Sequence, residues 1–144
     1  MEIIHGALAP PTAGRPQIRL TVDRLTLARR RWRGAAEDGR DFGFDLAEPL
    51  RDGAIFFTAD EGEYVIAQKY EPVLELRIAD LGTRLGTEAR VGWMIGNLHF
   101  QIEVTEEVIR VVDDPAVRQL FEREHLAFTA CKRVFHPLSG SHQH

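Results

Sequence analysis

Six histidines carry most of the chemistry open to this chain: His5, His99, His125, His136, His142 and His144. His142 and His144 stand one residue apart, after the polar Ser139-Gly140-Ser141. Two imidazoles at that spacing can turn toward one ion, and neutral imidazole suits zinc, copper, iron and nickel alike. A short terminal histidine tract is as often an unselected tail as a ligand set. No other spacing points to a reaction. There is no Gly-rich phosphate loop, no cysteine pair, no HExxH and no local Ser/Asp/His set. The single Cys131 cannot close an internal disulfide, which suits a reducing compartment. Inside Thr129–Arg133 it reads as a half-buried strand thiol rather than a ligand.

His99 must be positioned by what precedes it. Leu74, Leu76 and Ile78 share one face of a strand, and Asp80 can cap a helix along which Leu81, Leu85, Ala89 and Trp93 recur every four residues. Gly82 and Gly86 lie one turn apart, which suits close helix packing, and Gly96-Asn97 supplies a left-handed helix stop. His99 then opens a strand in which Phe100, Ile102 and Val104 face one way and His99, Gln101 and Glu103 the other. That second face is either solvent or a subunit interface, and the residues alone leave an ordinary surface histidine open. A turn at Thr105-Glu106 leads to the strand Val108–Val112. Asp114-Pro115 caps a helix marked by Val117, Leu120 and Phe121 that runs to about His125, and Phe128–Phe135 is the last strand. The order strand, helix, strand, strand, helix, strand is the ferredoxin-like pattern.

The first half has a different period. Ile18-Arg19-Leu20, Leu25-Thr26-Leu27 and Phe42-Gly43-Phe44-Asp45-Leu46 alternate as short strands. Asp38-Gly39 and Asp52-Gly53 are turn pairs, and Glu61-Gly62 closes a hairpin between 55–58 and 64–68. The fold expected is α+β. Residues 1–70 form a small β-domain, 71–137 a ferredoxin-like βαββαβ domain, and 138–144 a flexible histidine-containing tail.

Eighteen basic against 22 acidic residues, a formal charge of −4, argue against nucleic acid. The local exception is Arg29-Arg30-Arg31-Trp32-Arg33, read as a solvated strand edge or as a docking surface for an acidic partner. No apolar run approaches the roughly 20 residues of a membrane span, and Met1–Pro11 lacks the features of a signal peptide, so the expected place is the cytoplasm.

Gly92-Trp93-Met94-Ile95-Gly96-Asn97-Leu98-His99 resembles the central motif of the urease accessory metallochaperones, the UreE family. Arg24-Leu25-Thr26-Leu27 leading into the arginine cluster, Pro49-Leu50-Arg51-Asp52-Gly53, and Asp114-Pro115 through Phe135-His136-Pro137 resemble other parts of it, so the likeness covers about residues 15–137. The resemblance implies a peptide-binding-type first domain and a ferredoxin-like metal-binding second domain. It also implies a homodimer in which His99 meets its symmetry mate and holds nickel. The cargo would pass, with the urease accessory GTPase, to the apo-urease complex. His136, His142 and His144 stand where some members carry a longer histidine-rich tail, and zinc or copper would suit the same imidazoles in vitro. Leu98 departs from the family's arginine. Val111-Val112-Asp113-Asp114 stands where some members place further histidines. The resemblance thus implies a carrier and no enzyme. A protein-binding module with incidental metal binding is the alternative, and a metal-dependent hydrolase would need a carboxylate such as Glu103 beside the metal.

Overall fold

The computed structural model describes residues 1–10, 12, 14–82 and 86–138. Helix and sheet are mixed, with three sheets among the described residues. The chain divides into two compact units, Met1–Lys69 and Tyr70–His144.

The first unit holds β1 (Glu2–Ile4), β2 (Gln17–Val22), α1 (Arg24–Leu27), β3 (Arg31–Ala35), β4 (Asp41–Asp45), β5 (Ile55–Ala59) and β6 (Gly62–Gln68). They form two three-stranded sheets, ordered β1-β4-β3 and β2-β6-β5. β1 runs parallel to β4 and β2 parallel to β6, while the hairpin pairs β3/β4 and β5/β6 are antiparallel. Asp38-Gly39 makes the β3–β4 turn with Gly39 left-handed at φ 89°. The Asp38 carboxylate fixes that turn, accepting from the Arg40 amide and, at 2.6 Å, from the Tyr64 hydroxyl. Gly62 starts β6 where a Cβ would lie 2.5 Å from the Pro16 carbonyl oxygen, so no larger residue fits. Leu20, Phe42, Phe44, Phe56, Tyr64 and Ile66 fill the core, with Trp32 stacked on Phe44 at 3.8 Å between ring centres.

One expected strand is absent. Leu25-Thr26-Leu27 belongs to the single helical turn α1, because the Asp23 carboxylate accepts from the Thr26 amide at 3.0 Å and caps it. Only Leu27 is buried there, and Leu25 is 67% exposed. Three alternating residues are too few to outweigh a good cap.

The second unit holds β7 (Glu71–Arg77), a 3-10 turn (Ile78–Leu81), α2 (Thr87–Asn97), β8 (Glu103–Val104), β9 (Val108–Val112), α3 (Pro115–Arg123) and β10 (Thr129–Arg133). Its sheet is ordered β10-β7-β9-β8 with every neighbour antiparallel. Leu74, Leu76, Ile109 and Val111 of the sheet share a core with Val91 and Ile95 of α2 and Val117, Leu120 and Phe121 of α3. Fully burying each such side chain stabilises the fold by about 1.5–3 kcal/mol. The Asp114 carboxylate accepts from the Ala116 amide at 2.8 Å, and Pro115 occupies the first helical position.

Around α2 several expectations fail. Asp80 sits in the 3-10 turn, and α2 starts at Thr87 after left-handed Gly86. Gly82 and Gly86 have φ of 85° and 83° and serve as breaks, and no described residue lies near enough to pack on them. The helix bears two apolar faces, and the sheet takes Val91 and Ile95, leaving Ala89 exposed and Trp93 68% exposed. Leu85 lies outside the described residues. After α2 the chain does not pair at once. Phe100 and Ile102 pack on the core from irregular backbone, and β8 is only Glu103–Val104, with Val104 46% exposed.

Candidate functional site at the end of helix α2

The left-handed residue that ends α2 is His99 itself, at φ 65°, rather than Gly96 or Asn97, which remain in the helix. The His99 amide donates to the Gly96 carbonyl at 2.9 Å and the Phe100 amide to the Ile95 carbonyl at 3.4 Å. Those two bonds, with apolar residues at Ile95 and Phe100, make the helix stop known as a Schellman motif. Glycine normally takes the left-handed position, because a Cβ there costs about 1–2 kcal/mol. Histidine occupies it here. The side chain is exposed and makes no hydrogen bond or ion pair among the described residues. The turn therefore fixes the backbone beneath an imidazole that is open to a ligand.

The same stop recurs after α3. His125 has φ 54°, its amide donates to Glu122, and the Leu126 amide donates to the Phe121 carbonyl at 2.8 Å. Backbone conformation alone thus does not distinguish His99; its neighbours do. Ala89, Trp93 and Gly96 succeed one another on the exposed face of α2, and Leu98 adds further apolar surface at 37% exposure. On the other side, the C-terminal segment returns to the residues just after His99. The Leu138 amide donates to the Ile102 carbonyl at 2.7 Å, and the His136 amide donates to Glu103 Oε1 at 3.2 Å. His136 is exposed at this junction. His142 and His144 lie outside the described residues.

Glu103 is committed elsewhere. In the sheet register it pairs with Arg110, which pairs in turn with Glu75. Arg110 Nη1 donates to Glu103 at 2.9 Å, while its Nε and Nη2 donate to Glu75 Oε2 at 2.8 and 2.5 Å. Cys131 Sγ donates to Glu75 Oε1 at 3.0 Å. Burial pushes the Glu75 carboxyl up, but the bonds from Cys131 and Arg110 outweigh it and hold the group below the usual carboxylate range. Burial, and then the bond to Glu75, push the Cys131 thiol up. Cys131 is thereby kept as a thiol, whereas the metal-binding form is the thiolate. Sequence reasoning missed this cluster. Pairing Glu75, Glu103 and Arg110 across strands, once the register was assumed, was the signal that could have found it.

Among the described residues no group of three or more His, Cys, Asp or Glu side chains is arranged to hold an ion. Within one chain, the described candidate ligands are His99 and His136. No described helix is long and apolar enough to cross a membrane.

Residues 71–144 match the family described as UreE urease accessory protein, C-terminal domain. Proteins named urease accessory protein UreE are similar beyond that domain. The one from Azorhizobium caulinodans is 28% identical over 135 residues, covering 86% of this chain and 59% of that protein. The one from Chelativorans sp. is 28% identical over 126 residues, covering 86% and 77%. The one from Paracoccus denitrificans is 30% identical over 108 residues, covering 74% and 65%. The chain thus spans about three-fifths to three-quarters of the length of these relatives. With just over half its length matched by the family, the chain belongs to the UreE urease accessory proteins, a family of accessory factors and not of enzymes.

Proposed function

We propose that this protein is a nickel-binding metallochaperone that delivers Ni2+ to apo-urease as the urease active site matures. In this reading His99 holds the cargo across a homodimer interface. The observation that carries the reading is His99 itself, an open imidazole on a helix stop that ordinarily favours glycine, beside an uncovered apolar helix face. A two-fold axis through that face would supply a second His99 without further design, because an isologous interface presents each residue twice. Burying Trp93 and Leu98 would add apolar contact to such a dimer. The lack of a ligand cluster among the described residues of one chain is compatible with a site that needs two copies.

Two imidazoles alone would leave an octahedral ion largely water-coordinated and open to exchange. His136, His142 and His144 would supply the remaining ligands from the C-terminal segment. That segment starts against Ile102 and Glu103, and from Pro137 to His144 a chain spans at most roughly 24 Å, the span over which the proposal has the last histidines reach the shared ion. Release then proceeds by exchange of one imidazole at a time. These ligands do not select nickel, since copper binds such sites more tightly and zinc binds them as well. Selection would rest on supply and on the receiving urease accessory GTPase and apo-urease complex.

The fold around the site supports the same reading. The order β7-α2-β8-β9-α3-β10, with spatial order β10-β7-β9-β8, fits the ferredoxin-like metal-binding domain that the proposal assigns to residues 71–137. Residues 1–70 would be the partner-binding β-domain, and the cytoplasm is where the carrier would meet its recipients. Nickel titration followed by calorimetry and light scattering tests the proposal. The expected result is a dimer of about twice 16.3 kDa that binds about one ion tightly. His99→Ala should stay dimeric and lose that site. A clean monomer, or tight binding by His99→Ala, overturns it.

A further inference from the structure

The arginine cluster is unused by the carrier site. Arg31 and Arg33 lie on β3, the terminal strand of the sheet β1-β4-β3, and Arg29 and Arg30 lead into it. All four are exposed. Arg31 pairs with Asp45 at 3.0 Å, while the side chains of Arg29, Arg30 and Arg33 have no ion pair among the described residues. Four positive charges in five residues thus stand together in a chain whose formal charge is −4.

The backbone of the same strand is also open. The Leu46 amide donates to the Arg30 carbonyl and the Ala36 amide to the Arg40 carbonyl. Together with the antiparallel register, this turns the backbone groups of Arg30, Trp32, Gly34 and Ala36 toward β4. The groups of Arg31, Arg33 and Ala35 therefore point away from β4. Beyond Ala35 the edge is closed, since the Glu37 amide donates to the Arg19 carbonyl of β2. Among the described residues no strand continues the sheet at Arg31 and Arg33. On the face they share, Gly43 opposes Arg33 and Asp45 opposes Arg31. A shallow depression there is lined by Met1, Ile3, Arg31, Arg33, Gly43 and Asp45. Met1 and Ile3 are 64% and 49% exposed.

We propose that this edge docks an extended acidic segment of a partner protein, which adds to β3 as a further strand. Main-chain hydrogen bonds to Arg31 and Arg33 would supply attachment, and side chains at alternate positions would supply specificity. Residues facing the Arg31/Arg33 side must be Asp or Glu. Charge complementarity favours that sequence over an apolar strand, which the arginines would repel by their desolvation cost. The inference is independent of nickel binding, since it rests on the first unit alone.

Fluorescence anisotropy on the full chain tests it, using a labelled nine-residue peptide of alternating Glu and Val. Two further peptides have the same sequence with N-methyl groups on alternate residues, one in each phase. All three carry the same charge, but one phase of methylation blocks pairing with β3. The expected result is binding of the plain peptide and a loss of about tenfold for that one methylated phase. Arg31→Gln/Arg33→Gln should also lose about tenfold, as two exposed charge pairs predict, with an unchanged circular dichroism spectrum. Arg33→Gln alone, which leaves the Arg31–Asp45 pair intact, should lose a smaller part. Equal binding of all peptides would reduce the edge to general polyanion attraction and overturn the proposal. Equal binding by both variants, or no binding by the wild type, would do the same.

Discussion

His99→Gly separates the fold from the function at one residue. The left-handed turn at His99 costs a Cβ-bearing residue about 1–2 kcal/mol. Glycine removes that cost but gives back about 0.5–1 kcal/mol through its freer unfolded chain. The side chain lost is exposed and unbonded among the described residues, so no packing offsets the difference. The net expectation is a metal-free protein more stable by about 0.5–1 kcal/mol, or a Tm higher by about 2–6 °C in a unit of this size. His125→Gly is the internal control, because it relieves the same strain in the same motif at the end of α3. Both variants should melt higher without metal in differential scanning calorimetry. Only His99→Gly should lose tight nickel binding, and with it the stabilisation that nickel gives the wild type. A His99→Gly protein that melts below the wild type without metal would refute the account of the helix stop. One that still binds nickel at full strength would refute the assignment of His99 as ligand.

Three further outcomes follow from the same geometry. Trp93→Ala should leave the monomer fold intact, since the ring is exposed, yet shift the dimer toward monomer in sedimentation at low micromolar concentration; Ile95→Ala should instead lower stability by about 2–4 kcal/mol in urea unfolding. Deleting residues 139–144 should leave the melting curve unchanged and reduce nickel affinity or stoichiometry in calorimetry; an unchanged isotherm would make His142 and His144 passengers. Glu75 is held below its ordinary value of 4.5, so its contribution is complete above that pH and fades as pH falls through the folded value. Glu75→Gln should cost about 3 kcal/mol at pH 7 by leaving Arg110 short of a partner, and should flatten the acid limb of the stability curve when urea unfolding is followed from pH 7 to 3.

What the sequence made legible divides along physical lines. The helix α3 was readable because cap, first-turn proline and a single apolar stripe agree, and Asp114, Pro115 and Val117–Phe121 all do what their types predict. The strand β9 was readable for the same reason, with one period and one buried face, and Leu74 and Leu76 of β7 lie on the core face that their spacing predicts, although Val73 and Glu75 on the other face are buried too. Around α2 the local signals conflict. Leu81, Ala89 and Trp93 keep a helical spacing as regular as that of Val91 and Ile95, and only the sheet decides which face is buried. Gly96 is a better left-handed residue than His99 in isolation, yet the stop forms where Ile95 and Phe100 can both join the core, and that places histidine at the strained position. A local rule and a tertiary demand thus disagree at the candidate ligand and at the exposed tryptophan beside it. Helix α3 satisfies its N-cap and its stripe, and its stop places His125 in the same left-handed position. The exposed Trp93 is the part of this conflict that packing among the described residues does not explain. A second copy would resolve it by covering the ring while bringing two His99 side chains to one axis.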